Sequence, residues 1–261
     1  MTPCPTLPSQ HAHAMPDLLH VAIPDADVGA GMPAWLTPEE QRAFAAFRVP
    51  KRRREWLAGR WVAKEIVRQR HGLQGPEAWQ DIQIGSVRGG LEHGRPVYTL
   101  HGHPGPFALS ITHCSGVALA ALACRENLRL GVDLERVQLR GESFEAVALS
   151  GVEIERLRGV CGETRWRAVT RIWVLKEALA KALGIGLRLP LPLLSVRCSL
   201  DGSWSAELDA ISFSVDRRAQ HLHPRLPSLE RAPIAAIPFA LGDALGACVV
   251  MPRWEETCNP C

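Results

Sequence analysis

Two segments of this chain are near copies of one another. Trp61-Val62-Ala63-Lys64-Glu65 and Trp173-Val174-Leu175-Lys176-Glu177 agree at four of five positions and lie 173 − 61 = 112 residues apart, close to half of the 261-residue length. Each sits in a proline-free stretch whose apolar residues fall at helical spacing, as in a helix with one buried face. Two readings are open for so short a match: coincidence, or a chain of two similar halves. The second reading gives an α+β fold of two pseudo-symmetric halves, each a long helix packed on a small antiparallel sheet. The halves would span 16–128 and 129–251, with the join near 125–131, a disordered N-terminal tail at 1–15 and a C-terminal tail at 252–261.

The coarse pattern agrees. Leu18 to Ile23 reads as a first strand, and Pro38-Glu39-Glu40 opens a short helix with Thr37 as N-cap. Residues 53–70 hold one glycine and no proline and predict a long helix, with Leu57, Trp61, Val62 and Ile66 on its apolar stripe. Phe107–Thr112 and Val117–Cys124 predict strands around a turn at His113-Cys114-Ser115-Gly116. Leu130–Val137 alternates cleanly, Val132 and Leu134 to one side, Asp133 and Glu135 to the other. Helices are expected over 143–160 and 165–183, the latter closed by Gly184. Strand-like runs follow at 193–199, 203–208, 210–215 and 245–251, with 220–238 as a long irregular insertion.

With 46% hydrophobic and 22% charged residues the chain can bury a sizeable core, and a net charge of +3 argues for neither nucleic acid nor a membrane surface. The eight cysteines are scattered, which suits reduced thiols rather than a disulfide framework. Cys258-Asn259-Pro260-Cys261 has no second pair at zinc-ribbon spacing and reads as a frayed tail. No stretch is apolar enough to span a bilayer, and the N-terminus, rich in Pro and His, lacks the pattern of a secretory signal. A cytoplasmic location is expected, with Met1 and Met15 both open as the start.

The chemistry-bearing residues fall in two groups. Asp133 and Glu135 share a strand face, and Glu177 and Lys181 share a helix face at i, i+4. Separately they are an exposed charged strand and a helix salt bridge. Together, Asp133, Glu135 and Glu177 would supply carboxylate oxygens for a hard cation such as Mg²⁺. No glycine-rich phosphate loop is present, so phosphate would fall to side-chain cations, of which Arg53, Arg60, Lys64, Arg95, Lys176 and Lys181 are available. His113 is open as a core histidine or as a phosphate donor.

In order, the segments Arg53–Lys64, Gly94-Arg95-Pro96, Leu109–Gly116 (LSITHCSG), Gly131–Glu135 (GVDLE) and Trp173–Lys181 (WVLKEALAK) resemble the 4′-phosphopantetheinyl transferases of the surfactin-synthetase-activating type. The resemblance covers about 45–190. It implies a monomer with coenzyme A held between the halves and an apo acyl or peptidyl carrier protein as partner. The phosphopantetheine arm would pass to a carrier serine, with adenosine 3′,5′-bisphosphate released. It further implies that Asp133, Glu135 and Glu177 hold Mg²⁺, that Glu177 helps deprotonate the serine, and that Lys181 stabilises the leaving phosphate. Arg52, Arg53, Arg60, Arg95, Thr112, His113 and Lys176 become coenzyme A contacts, Lys176 at the pyrophosphate. Thr112 stands where the family often has Ser, and Arg95 where Lys is frequent. Two other readings remain: a nucleic-acid-binding module using the basic helix 51–70, against which Trp56, Leu57 and Trp61 argue, and an inactive coenzyme A-binding homologue.

Overall fold

The computed structural model describes residues 15–23, 31–90, 92–197, 212–216 and 234–252. Its elements are β1 (Asp17–Ala22), α1 (Pro38–Ala45), α2 (Pro50–Arg70), α3 (Ala78–Asp81), β2 (Ile82–Ser86), β3 (Pro96–Leu100), β4 (His103–Pro104), β5 (Leu109–Cys114), β6 (Val117–Leu122), β7 (Leu128–Arg136), α4 (Glu142–Ala148), α5 (Gly151–Arg156), α6 (Gly162–Leu183), β8 (Leu194–Arg197), β9 (Ser212–Val215), β10 (Ala235–Leu241) and β11 (Ala244–Pro252). The strands form small antiparallel sheets ordered β1-β6-β5, β10-β11-β7, β2-β3-β4 and β8-β9. The long helix α2 packs on β1-β6-β5, and α6 packs on β7 and β11. The fold is α+β, and no helix among the described residues is long and apolar enough to cross a membrane.

Helix starts and stops follow local chemistry. The Thr37 hydroxyl accepts from Glu40 N while the Glu40 carboxylate accepts from Thr37 N, a reciprocal cap that starts α1. Pro50 opens α2, where its missing N–H leaves nothing unsatisfied. Gly184 closes α6 with φ of 76°, a left-handed turn that favours glycine. The single helix expected over 143–160 is instead α4 and α5, because Leu149 is extended and Ser150 with Glu153 caps a new helix. The turn expected at 113–116 is two residues long. Ser115 and Gly116 both have positive φ, which matches the twist of a tight hairpin and leaves His113 inside β5. The end of the expected irregular stretch 220–238 is strand: β10 carries Pro238 at a sheet edge, where its missing N–H is tolerated. The expected strand at 203–208, residues 220–233 of that stretch and the tails at 1–14 and 253–261 lie outside the described residues.

A buried lysine staples each long helix. Lys64 Nζ bonds Trp35 O at 3.0 Å, Trp79 O at 2.7 Å and the Glu40 carboxylate at 2.7 Å, while Ile84 N donates to Glu40 Oε1. Lys176 Nζ bonds Ala148 O at 2.9 Å, Leu191 O at 3.1 Å and Glu153 Oε2, while Val196 N donates to Glu153 Oε1. Both glutamates also close their helix caps, Glu40 with Thr37 and Glu153 with Ser150. The two networks match member for member and tie each helix to a short capped helix and to the following strand, β2 or β8. Burial pulls both ammonium pKa values down, and the partner carboxylates oppose it. Both lysine side chains are 0% exposed, and each ammonium has three acceptors for its three protons. The expected role of Lys176 at a pyrophosphate is therefore corrected: it has no donor left for a substrate, and neither has Lys64.

On its other side α6 lies directly against β7. A Cβ on Gly131 would overlap the Ala178 carbonyl and lie 2.5 Å from Ala182 N, so the helix backbone occupies the space a side chain would need. Gly131→Ala is expected to destabilise the protein by ~3 kcal/mol through overpacking, seen as a lower urea midpoint at unchanged slope. A wild-type midpoint would show that α6 does not sit on β7 this closely. Lys176→Met strands the buried Glu153 charge and is expected to cost about 3–5 kcal/mol. Unchanged stability in the same titration would restore Lys176 as a candidate for substrate.

Candidate functional site

The site lies where β5 meets β7 and α6. Ser110 Oγ accepts from Val132 N at 3.0 Å, binding β5 to β7. Two residues on, Thr112 Oγ1 donates to Asp133 Oδ1 at 3.1 Å. Asp133 follows the strand alternation, opposite to Val132 and Leu134, but its face is covered rather than exposed: the residue is 5% accessible beneath α6. This removes the reading of Asp133 and Glu135 as a bare charged strand.

The close approach at Gly131 brings the next turn of α6 over the acids. Lys181 Nζ donates to Asp133 Oδ1 at 2.8 Å and to Val132 O at 2.9 Å, so it spans helix to strand rather than pairing along its own helix. Glu177 shares this corner. Its carboxyl pKa is raised to about 7, by burial first and then by the neighbouring Asp133 and Glu135 charges, with Lys181 opposing. Glu135 is held at both oxygens: Trp173 Nε1 donates to Oε1 at 3.2 Å, and Arg140 Nη2 lies 2.6 Å from Oε2.

Among the described residues no three His, Cys, Asp or Glu side chains already stand in a metal-ligating arrangement. The donor set nevertheless fits a hard cation. Asp133 Oδ2 and Glu177 Oε1 are buried without a hydrogen-bond partner among the described residues, and an orphaned carboxylate oxygen inside a protein is costly until something positive or protic meets it. Carboxylate oxygens are also the ligand class that magnesium takes.

His113, at the end of β5, links this corner to the basic helix α2. Its Nδ1 is 3.9 Å from Glu55 Oε1, and Glu55 also faces Arg52 at 3.4 Å. Burial lowers the imidazole pKa; Glu55 opposes, while Arg52 and Lys181 add to the lowering. Arg53 and Arg60 lie further along α2, their guanidinium groups 4.6 Å over Phe44 and 4.8 Å over Trp56. The Nε atoms of both are buried without a hydrogen-bond partner, and desolvation lowers the pKa of Arg60. Leu57 is buried and Trp56 and Trp61 pack against the core, so these residues give α2 an inward apolar face, while Lys51 and Arg52 at its start are exposed.

Arg95 is set apart from the acids. Its Nε donates to Glu92 Oε2 at 3.0 Å, and Glu92 also pairs with Arg129 of β7. Arg95 and Arg129 face a cavity of about 340 Å³ walled by Val97, Phe107, Leu109 and Leu130. None of the three acids lines it, so this gap between packed strands and the charged corner are separate features.

Of the expected site residues, the structure thus brings Asp133, Glu135, Glu177, Lys181, Thr112 and His113 together and carries Arg52 to the edge of the group. It stacks Arg53 and Arg60 on aromatic rings, places Arg95 beside Glu92 at the cavity, and withdraws Lys176 into the core. Arg140 was missed, because a lone arginine in a loop has no pattern. Glu153 was missed although Ser150-x-x-Glu153 is a legible capping box.

Comparison with known proteins gives the family. The family model for the 4′-phosphopantetheinyl transferase superfamily matches residues 129–237, the stretch holding all three acids and Lys181. The chain is 33% identical over 94 residues to the holo-[acyl-carrier-protein] synthase of Lactococcus lactis subsp. lactis (strain IL1403), covering 35% of this chain and 76% of that protein. It is 36% identical over 107 residues to the holo-[acyl-carrier-protein] synthase of Leuconostoc mesenteroides subsp. mesenteroides, covering 40% and 72%. It is 27% identical over 162 residues to the L-aminoadipate-semialdehyde dehydrogenase-phosphopantetheinyl transferase of Pongo abelii, covering 58% of this chain and 49% of that protein. With its carboxylate corner inside the matched stretch and these relatives beside it, the chain belongs to the 4′-phosphopantetheinyl transferase superfamily.

Proposed function

We propose that the protein transfers the 4′-phosphopantetheine arm of coenzyme A to a serine of an apo acyl or peptidyl carrier protein, working as a cytoplasmic monomer. The observation that carries this reading is the pair of buried, unpartnered oxygens, Asp133 Oδ2 and Glu177 Oε1, beside Lys181. Asp133, Glu135 and Glu177 would hold Mg²⁺, which when bound supplies a Lewis acid for the diphosphate of coenzyme A.

In the reaction the serine Oγ bonds to the phosphorus that bears the pantetheine arm. The bond from that phosphorus to the bridging oxygen breaks, and adenosine 3′,5′-bisphosphate leaves with the electron pair. Glu177 takes the serine proton, directly or through a water. Lys181, anchored on Asp133 at the edge of the acids, offsets charge on the departing phosphate. Thr112 steadies Asp133 from the opposite strand. His113, Arg52, Arg53 and Arg60 are assigned to the phosphates of coenzyme A. The stacked guanidinium groups support this, being preorganised and weakly hydrated donors suited to phosphate oxygens. Arg95, next to the cavity, is assigned to the nucleotide end. Phosphoryl transfer needs positioning and charge neutralisation more than a covalent partner, and no enzyme nucleophile is required.

Incubation with Mg²⁺, coenzyme A and an apo carrier is expected to add the mass of one phosphopantetheine arm to the carrier, read by mass spectrometry. No gain across several diverse carriers would refute the activity. Asp133→Asn and Glu177→Gln are each expected to slow transfer by at least about a hundredfold, with far-UV circular dichroism unchanged. Near-normal transfer by either variant removes that residue from the reaction.

A further inference from the structure

The three acids are unevenly partnered. Among the described residues, Asp133 and Glu177 each keep one buried oxygen without a partner, whereas both oxygens of Glu135 are occupied, by Arg140 and Trp173. The Arg140 side chain is 12% exposed. Its guanidinium lies 4.3 Å over the ring of Phe144, and that ring stands 4.8 Å from the ring of Trp173. Four side chains therefore close a circuit: Glu135 to Arg140 by an ion pair, Arg140 to Phe144 and Phe144 to Trp173 by ring contacts, and Trp173 back to Glu135 by a hydrogen bond. Each holds its neighbour's rotamer.

The chain placement makes this circuit separable. Glu135 is on β7 and Trp173 on α6, the two elements locked together at Gly131. Arg140 comes from the connection between β7 and α4, so its head group can shift without moving either. Arginine stays charged at every accessible pH, and stacking on an aromatic ring leaves its edge free for a carboxylate.

We infer that Arg140 is the resident counter-cation of Glu135, and that a divalent cation entering the acid corner binds against it, so that Arg140 sets the metal affinity of the site. The inference rests on the metal role given to the acids under the proposed function. Arg140 is here a positioning residue: it acts through Glu135 and not on substrate. It makes the corner less hungry for cations when empty and keeps Glu135 from swinging into solvent.

The test uses Mn²⁺ as a spin probe, titrated into the full chain without coenzyme A and followed by electron paramagnetic resonance. Arg140→Gln is expected to bind Mn²⁺ about tenfold more tightly than wild type. Arg140→Lys retains the cation and is expected to return the affinity toward wild type. Phe144→Leu removes the stack but keeps the charge and is expected to tighten binding by a smaller factor. Unchanged or weaker Mn²⁺ binding by Arg140→Gln, with wild type binding the ion, overturns the inference and leaves the proposed activity standing. If neither wild type nor any variant takes up Mn²⁺, with or without coenzyme A, the inference and the metal assignment both fall.

Discussion

The site depends on two backbones touching. Gly131 presents no side chain toward α6, and the helix carbonyl at Ala178 fills the space instead. Along a helix, i and i+4 residues lie on one face, so bringing the turn around Ala178 onto the strand also brings Glu177 and Lys181 to Asp133. With a normal helix-to-sheet spacing, a lysine at 181 would have further to reach before meeting the Asp133 carboxylate. The glycine of the Gly-x-Asp-x-Glu run is thus as much a part of the site as its acids.

Contact on one side needs support on the other. Lys176 provides it, buried on the far side of α6 and bonded to groups from α4, α5 and the segment before β8. Such pairs add little net stability, because desolvation offsets their attraction. What they supply is registry: an ammonium with three fixed acceptors has one place to sit, and the helix that carries it is set in rotation and in height. Successive residues of α6 therefore serve opposite ends, Lys176 anchoring the helix and Glu177 facing the chemistry. The remaining charge balance follows. Three carboxylates gather where Lys181 and Arg140 are the cations directly bonded to them, and burial sharpens the imbalance, which shows in the raised pKa of Glu177.

Much of this was legible before any coordinates. Alternation in β7 sets Asp133 opposite Val132, Gly184 marks the end of α6, and the repeated pentapeptide points to two alike helices, although α2 begins at Pro50, three residues before the expected start. The matching strand orders β1-β6-β5 and β7-β11-β10 around those helices are what a duplicated unit would give. The failures have physical causes. Lys176 reads as a phosphate contact from its charge and from the resemblance, and only tertiary structure brings three oxygens to its head group. Asp133 was first weighed as exposed because period-two alternation tells which residues share a face, not whether a helix covers it. Residues 143–160 were read as one helix because the break at Leu149 arises from a new cap, not from a glycine or proline. Pro238 hid β10, since an edge strand tolerates what a central one does not.

The paired lysine networks carry a warning about what the shared pentapeptide means. Glu65 follows Lys64 just as Glu177 follows Lys176, yet its carboxylate is closed off by Arg68 and Gln69. One glutamate ends in a local salt bridge; the other looks onto a crowd of acids with an oxygen to spare. What the two copies share is the lysine that pins each helix, while the glutamate beside it carries chemistry in one copy and a local pair in the other. Whether the bolted helix works for a living depends on the strand beneath it.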